Sequence, residues 1–159
     1  MQRRSIMVLA ALLMTAGLGC QNQKTPMPMT DPVPVLRRAS GSDAGVMTEP
    51  LEVTLINSAD QLAAAAGDKL ASLAVDFEHE SLLVLSLGEQ ATGGYWVRMT
   101  AVQQAGDGLY VQGVVNVPAE GEPVTQGLTH PYDAVVIAKS MAKMIHPEMK
   151  NVAGQAPPE

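Results

Sequence analysis

Four groups of residues in this sequence could do chemistry. Glu78-His79-Glu80 places an imidazole between two carboxylates, types that ligate metals or exchange protons. On a strand, side chains alternate, so His79 would face away from both glutamates, and a solvated turn is the plainer reading. Met27 and Met29, then Met141, Met144, His146 and Met149, offer soft ligands of the kind that select Cu(I). Met141, Met144 and Ile145 also form an ordinary apolar stripe, and methionine is a common gap-filler. His130 precedes Pro131, which forces it into extended backbone and favours a structural role. There is no GxSxG elbow, metal cage or phosphate loop, so the sequence reads as non-catalytic and calls for no cofactor.

A further group is Thr92-Gly93-Gly94-Tyr95-Trp96, which holds the single tryptophan and one of three tyrosines. The glycines permit positive φ and close backbone approach. Thr92 can fix the loop by bonding to nearby amides. As strand neighbours, Tyr95 and Trp96 should point to opposite faces, one toward the core and one outward. Two readings stay open. An exposed aromatic beside a Gly-rich loop is a protein-binding hot spot; a buried, hydrogen-bonded corner would only shape the fold.

Cys20, the lone cysteine, ends Ala16-Gly17-Leu18-Gly19-Cys20 after an apolar run from Ile6, itself preceded by Arg3 and Arg4. Charge followed by an apolar run of this length fits a secretory signal peptide over 1–19. Small residues before the cysteine resemble the lipobox of bacterial lipoproteins, with Gly17 where leucine is usual. That resemblance implies lipidation of Cys20, by palmitate-type acyl chains, and anchoring at the bacterial cell envelope, on the outer membrane facing periplasm or surface. The alternative is an ordinary signal peptide with an incidental cysteine. Removing residues 1–19 takes Arg3 and Arg4, leaving 8 Lys and Arg against 16 acids, a formal charge of −8. Such a balance argues against nucleic acid as a partner.

These residues must be positioned by the elements around them. Residues 20–49 read as a lipidated cysteine and flexible tether, since KTPMPMTDPVPV carries four prolines. LEVTLI alternates as a strand. Ser58 with Gln61 fits a capping box opening a helix over 58–66, with Gly67 as its stop. Ser81 to Gly88 is a continuous apolar run of strand length, expected to be buried and central. In WVRMTAVQQ, Trp96, Arg98, Thr100 and Val102 should share one face. A turn is expected at Ala105 to Gly108, where Asp107-Gly108 signals a hairpin. PVTQGLTHP and YDAVVIAKS supply further strands. The spacing predicts a mainly β domain over 50–140, a small antiparallel sandwich or open barrel with one short N-terminal helix. The tail, 141–159, reads as one docked helical turn followed by a frayed end.

LLVLSLGEQATGGYWVRMTAV resembles the signature of the C-terminal domain of PrcB-type protease-complex subunits. VDFEHE resembles its lead-in and VTQGLTHPYDAVVIAKS its closing segment, together covering roughly 50–140. Ala91 stands where a proline is common, and Trp96 replaces a smaller residue. The resemblance implies a non-catalytic envelope lipoprotein that binds another protein, with Thr92 to Trp96 as partner-binding residues. The same loop is faintly similar to one in chagasin-like cysteine-protease inhibitors, which implies inhibition as an alternative. A Met-rich copper-binding lipoprotein is a further one.

Overall fold

The computed structural model describes residues 30–43, 51–66 and 70–158. Cys20, the signal-peptide run, Met27, Met29 and Gly67 lie outside the described residues. The chain runs β1 (Asp31–Pro32), β2 (Arg37–Gly41), β3 (Glu52–Ile56), α1 (Ala59–Ala66), a 3-10 turn (Ala71–Leu73), β4 (Glu80–Ser86), β5 (Gln90–Thr92), β6 (Trp96–Ala105), β7 (Gly108–Val117), β8 (Gln126–Thr129), β9 (Tyr132–Ala138) and β10 (Met144–Ala153). Two four-stranded sheets form a sandwich. One has the order β1-β6-β7-β10, the other β2-β9-β4-β3. The mainly β expectation is met, with a single short α-helix among the described residues. Among the described residues, no helix is long and apolar enough to cross a membrane.

The second sheet is covered on both sides, which explains the continuous apolar runs of its central strands. Leu83, Leu85, Val135 and Ile137 face the first sheet and pack with Val97, Met99, Val102, Leu109, Val111 and Val115. Leu82, Val84, Ala134 and Val136, one residue out of phase, pack with Ile56, Ala66, Leu70 and Leu73 on the helical side. Full burial of each Val or Leu side chain is worth about 1.5–3 kcal/mol. The capping box forms as expected: the Gln61 N–H donates to Ser58 Oγ at 3.2 Å, and the Asn57 N–H to Gln61 Oε1 at 2.7 Å.

Four expectations need correction. First, β6 pairs with β7 with a register shift between Met99 and Ala101, a β-bulge at Thr100. Val102 therefore joins Val97 and Met99 in the core instead of sharing a face with Trp96 and Arg98. Second, the hairpin turn lies at Ala105 to Gly108 as expected, but its two loop residues are Gly106-Asp107 instead of Asp107-Gly108, and Gly106 takes the positive φ. Third, the residues after Ser140 form no helical turn. Met144–Ala153 is a ten-residue strand parallel to β7, with Ile145 and Met149 packed against the core. Gly113 makes room for Met149, whose Sδ would lie 2.6 Å from an added Cβ. Pro147 is tolerated because β10 is an edge strand. Fourth, the stretch expected as tether contributes β1 and β2. Arg37 to Gly41 pairs antiparallel with β9 over five residues.

Candidate functional site

The chain leaves the second sheet after β4, crosses to the first, and returns before β9. The two crossings meet. β5 pairs with β8, and the Gly93 N–H donates to the Thr125 carbonyl at 2.9 Å. Thr92 is fixed through its main-chain carbonyl, which accepts from Thr129 Oγ1 at 2.9 Å. Gly93 is buried, and an added Cβ would lie 2.2 Å from Thr125 Oγ1. Gly94 has φ +87° and packs on Pro118 and Val124. Thr92 to Gly94 is thus a pinned corner, and glycine is required at both positions for different reasons.

Tyr95 precedes the first paired residue of β6, so strand alternation does not separate it from Trp96. Both side chains are half-buried. Both line one cleft of about 590 Å³, contrary to the expectation of opposite faces. Arg98 and Tyr132 line it too, as do Pro157 and Pro158. The C-terminal segment is held in place. Trp96 Nε1–H donates to the Gln155 carbonyl at 2.7 Å, and the Gln155 N–H to Asn116 Oδ1 at 3.0 Å. Asn116 Nδ2 donates in turn to the Gly94 carbonyl at 3.0 Å. Buried Asn116 therefore joins the pinned corner to the chain's end.

Behind the cleft lies a buried carboxylate. Asp133 Oδ2 accepts from the Met99 N–H at 2.6 Å and from Arg38 Nη1 at 2.7 Å. Arg38 Nη2 also donates to the Met99 carbonyl at 2.9 Å. The Met99 main chain, beside the bulge, is thus held by side chains of β9 and β2. Burial pushes the Asp133 carboxyl above the usual carboxylate range; the Met99 amide and the guanidiniums of Arg38 and Arg98 only partly offset it. Burial likewise lowers the Arg38 guanidinium. Two groups shifted toward neutrality mark a pair that orders the site at a desolvation cost.

The other candidates resolve into structure. His79 lies in a turn, not on a strand, and Asp76 joins it. Asp76 Oδ2 lies 2.9 Å from His79 Nδ1 while its Oδ1 accepts from the Glu78 N–H, so these exposed groups close the turn onto themselves. His130 is half-buried, with Nε2 3.6 Å from Glu89 Oε2. Met144 and His146 lie on one face of β10 and Met149 on the other, and the strand rise spreads Met144 and Met149 over about 16 Å. His146 instead stacks on Tyr110, ring centroids 4.6 Å apart. No copper-binding cluster is assembled from the described residues. Sequence reasoning missed Arg98, Asn116, Tyr132 and Gln155 to Pro158. Asn116, a lone amide in the apolar run VVNV, was the available signal.

Residues 81–138 match a family model described as PrcB C-terminal. The matched segment runs from β4 to β9 and contains the pinned corner, Trp96, Arg98 and Tyr132. The resemblance is therefore shown for that segment; β1 to β3, α1 and β10 fall outside it. Comparison with curated proteins found no match, and comparison with solved structures found none.

Proposed function

We propose that this is a non-catalytic, lipid-anchored protein of the bacterial cell envelope that binds another envelope protein as an accessory subunit of a protease complex. The observation that carries this reading is that the PrcB C-terminal segment supplies Tyr95, Trp96, Arg98 and Tyr132 to one cleft. Half-buried aromatics at the rim of a concave surface are the groups that dominate protein–protein binding energy. The corner Thr92 to Gly94 acts indirectly, by fixing where Tyr95 and Trp96 emerge. The anchor rests on the apolar run before Cys20 and the small residues next to it. Acyl chains contribute about 0.8 kcal/mol per buried CH2, so two or three chains give durable attachment. The outer membrane, facing periplasm or surface, is the proposed location.

Pull-down from detergent-solubilised membranes tests the binding role. Wild type should retain a partner that Thr92→Ala/Tyr95→Ala loses, and identical partner lists would overturn the assignment of this face. Inhibition of a cysteine protease at micromolar protein would move the reading to the inhibitor. Metabolic palmitate labelling tests the anchor: label on wild type and none on Cys20→Ala is expected, while label on both removes Cys20 as the acylation site.

A further inference from the structure

We infer that the cleft takes an extended, proline-containing segment of the partner protein, and that the chain's own Gln155–Pro158 segment is the stand-in such a ligand displaces. This rests on the protein-binding reading above and names the kind of partner it involves.

Three of the chain's five aromatic residues, Tyr95, Trp96 and Tyr132, line this one cleft. Clustering of scarce aromatics at a surface is what recognition of proline requires. Adjacent prolines have no N–H and hold an extended left-handed helix, so their carbonyls and ring faces are what a groove can read. Aromatic-lined grooves bind such segments through those groups. Here the indole N–H of Trp96 donates to the carbonyl of Gln155, two residues before Pro157-Pro158, and both prolines line the same cleft. The chain thus holds a proline-containing segment of its own at the edge of this cleft, through the main-chain carbonyl of Gln155, with the prolines themselves exposed.

Pro158 also lines an adjoining cavity of about 380 Å³, together with Arg38, Trp96 and Arg98.

The internal segment is attached weakly enough to be displaced. Residues 155–158 are exposed. Among the described residues, two hydrogen bonds at Gln155 hold the segment, next to the bond from the Gly154 N–H to the Val117 carbonyl at 3.0 Å. A tethered segment competes at an effective concentration on the order of millimolar. A free peptide of about 0.1 mM affinity would therefore bind roughly tenfold more weakly to the intact chain than to one lacking the segment.

Trp96 is the only tryptophan, so its fluorescence reports the cleft directly. The full chain, a variant ending at Gly154, and the full-length Pro157→Ala/Pro158→Ala variant are titrated with the peptide Gly-Gln-Ala-Pro-Pro-Glu. The peptide with both prolines replaced by alanine serves as control. The expected result is a saturable change in emission on both variants, with affinity about tenfold higher than on wild type and at least tenfold lower for the alanine peptide. The double substitution keeps the test valid where the shortened chain fails to fold. No saturable change on a folded variant, or equal binding of the alanine peptide, overturns the inference. Loss of the membrane partner on Tyr95→Ala together with no peptide binding would sink this inference alone and leave the protein-binding reading standing.

Discussion

β4 and β10 are both strands of this sandwich, yet they are held by opposite means. In β4 every residue from Ser81 to Ser86 is buried, with side chains packed on both faces of the sheet. In β10 no residue is fully buried, and ten register pairs with β7 carry the attachment. The first is a core element whose residues cannot change without a packing penalty. The second, and the Gly154–Pro158 segment that follows it, belongs to the low-stability part of the molecule, where binding and exchange occur. The cleft lies where these regimes meet, with Trp96 and Asn116 on β6 and β7, whose inward faces pack in the core, and Pro157 and Pro158 on the weakly held segment.

The largest effect should come from the buried pair behind the cleft. Asp133→Ala leaves Arg38 and the Met99 amide without their acceptor and should cost about 3–5 kcal/mol in urea unfolding. A loss under 1 kcal/mol would show that the buried pair does not hold the bulge. Next is Asn116→Ala, which leaves the Gly94 carbonyl and the Gln155 amide without their partner. It should cost about 1–3 kcal/mol and speed hydrogen exchange at Gln155. Unchanged exchange there would break the link between the corner and the C-terminal segment. Gly113→Ala tests β10 itself, since the new Cβ would meet both Met149 Sδ and the Arg98 carbonyl. About 1–3 kcal/mol is expected, with raised proteolysis after Ser140; a neutral result would mean that β10 is not seated over β7 as described. Ser58→Ala, on the helical side, should cost only about 1 kcal/mol and leave exchange in β10 untouched.

A pH titration contrasts two carboxylates of opposite sign. The Arg37 guanidinium first, then the Asp76 amide, holds Glu80 below the usual carboxylate range. Its contribution is present above the unfolded value, about 4.3, and is lost as pH falls through the folded value. Asp133 is raised, so its contribution is fully present below about 3.9 and is lost as pH rises through its folded value. Glu80→Gln should therefore flatten the acid loss of stability. An unchanged acid limb would show that Arg37 adds nothing there.

What could be read from sequence was local. Ser58 and Gln61 lie three residues apart and need no other element to define the cap. Ser81 to Leu87 announces burial on both faces by its lack of polar alternation. What escaped depended on partners distant in the chain. The Thr100 bulge exists only relative to β7, and the Asp133 side chain that accepts the Met99 amide lies 34 positions away. Met141, Met144 and Ile145 have helical spacing, but the open edge of β7 offers β10 a ladder, and tertiary pairing overrides local preference. The prolines before Arg37 masked β2, whose pairing with β9 leaves Arg38 beside Asp133. Strand alternation gives Tyr95 and Trp96 opposite faces only if both lie inside the strand, and β6 begins at Trp96.

The bulge has a bearing on how this chain can vary in length. Thr100 is the extra residue between the Met99–Gly113 and Ala101–Gln112 pairs. Deleting it would leave Val97, Met99 and Val102 in simple alternation, with every pairing to β7 unchanged. Deleting a neighbouring core residue, such as Val97, would instead send the inward set outward on one side of the gap. Position 100 is therefore where β6 can lose a residue without exchanging its inside for its outside.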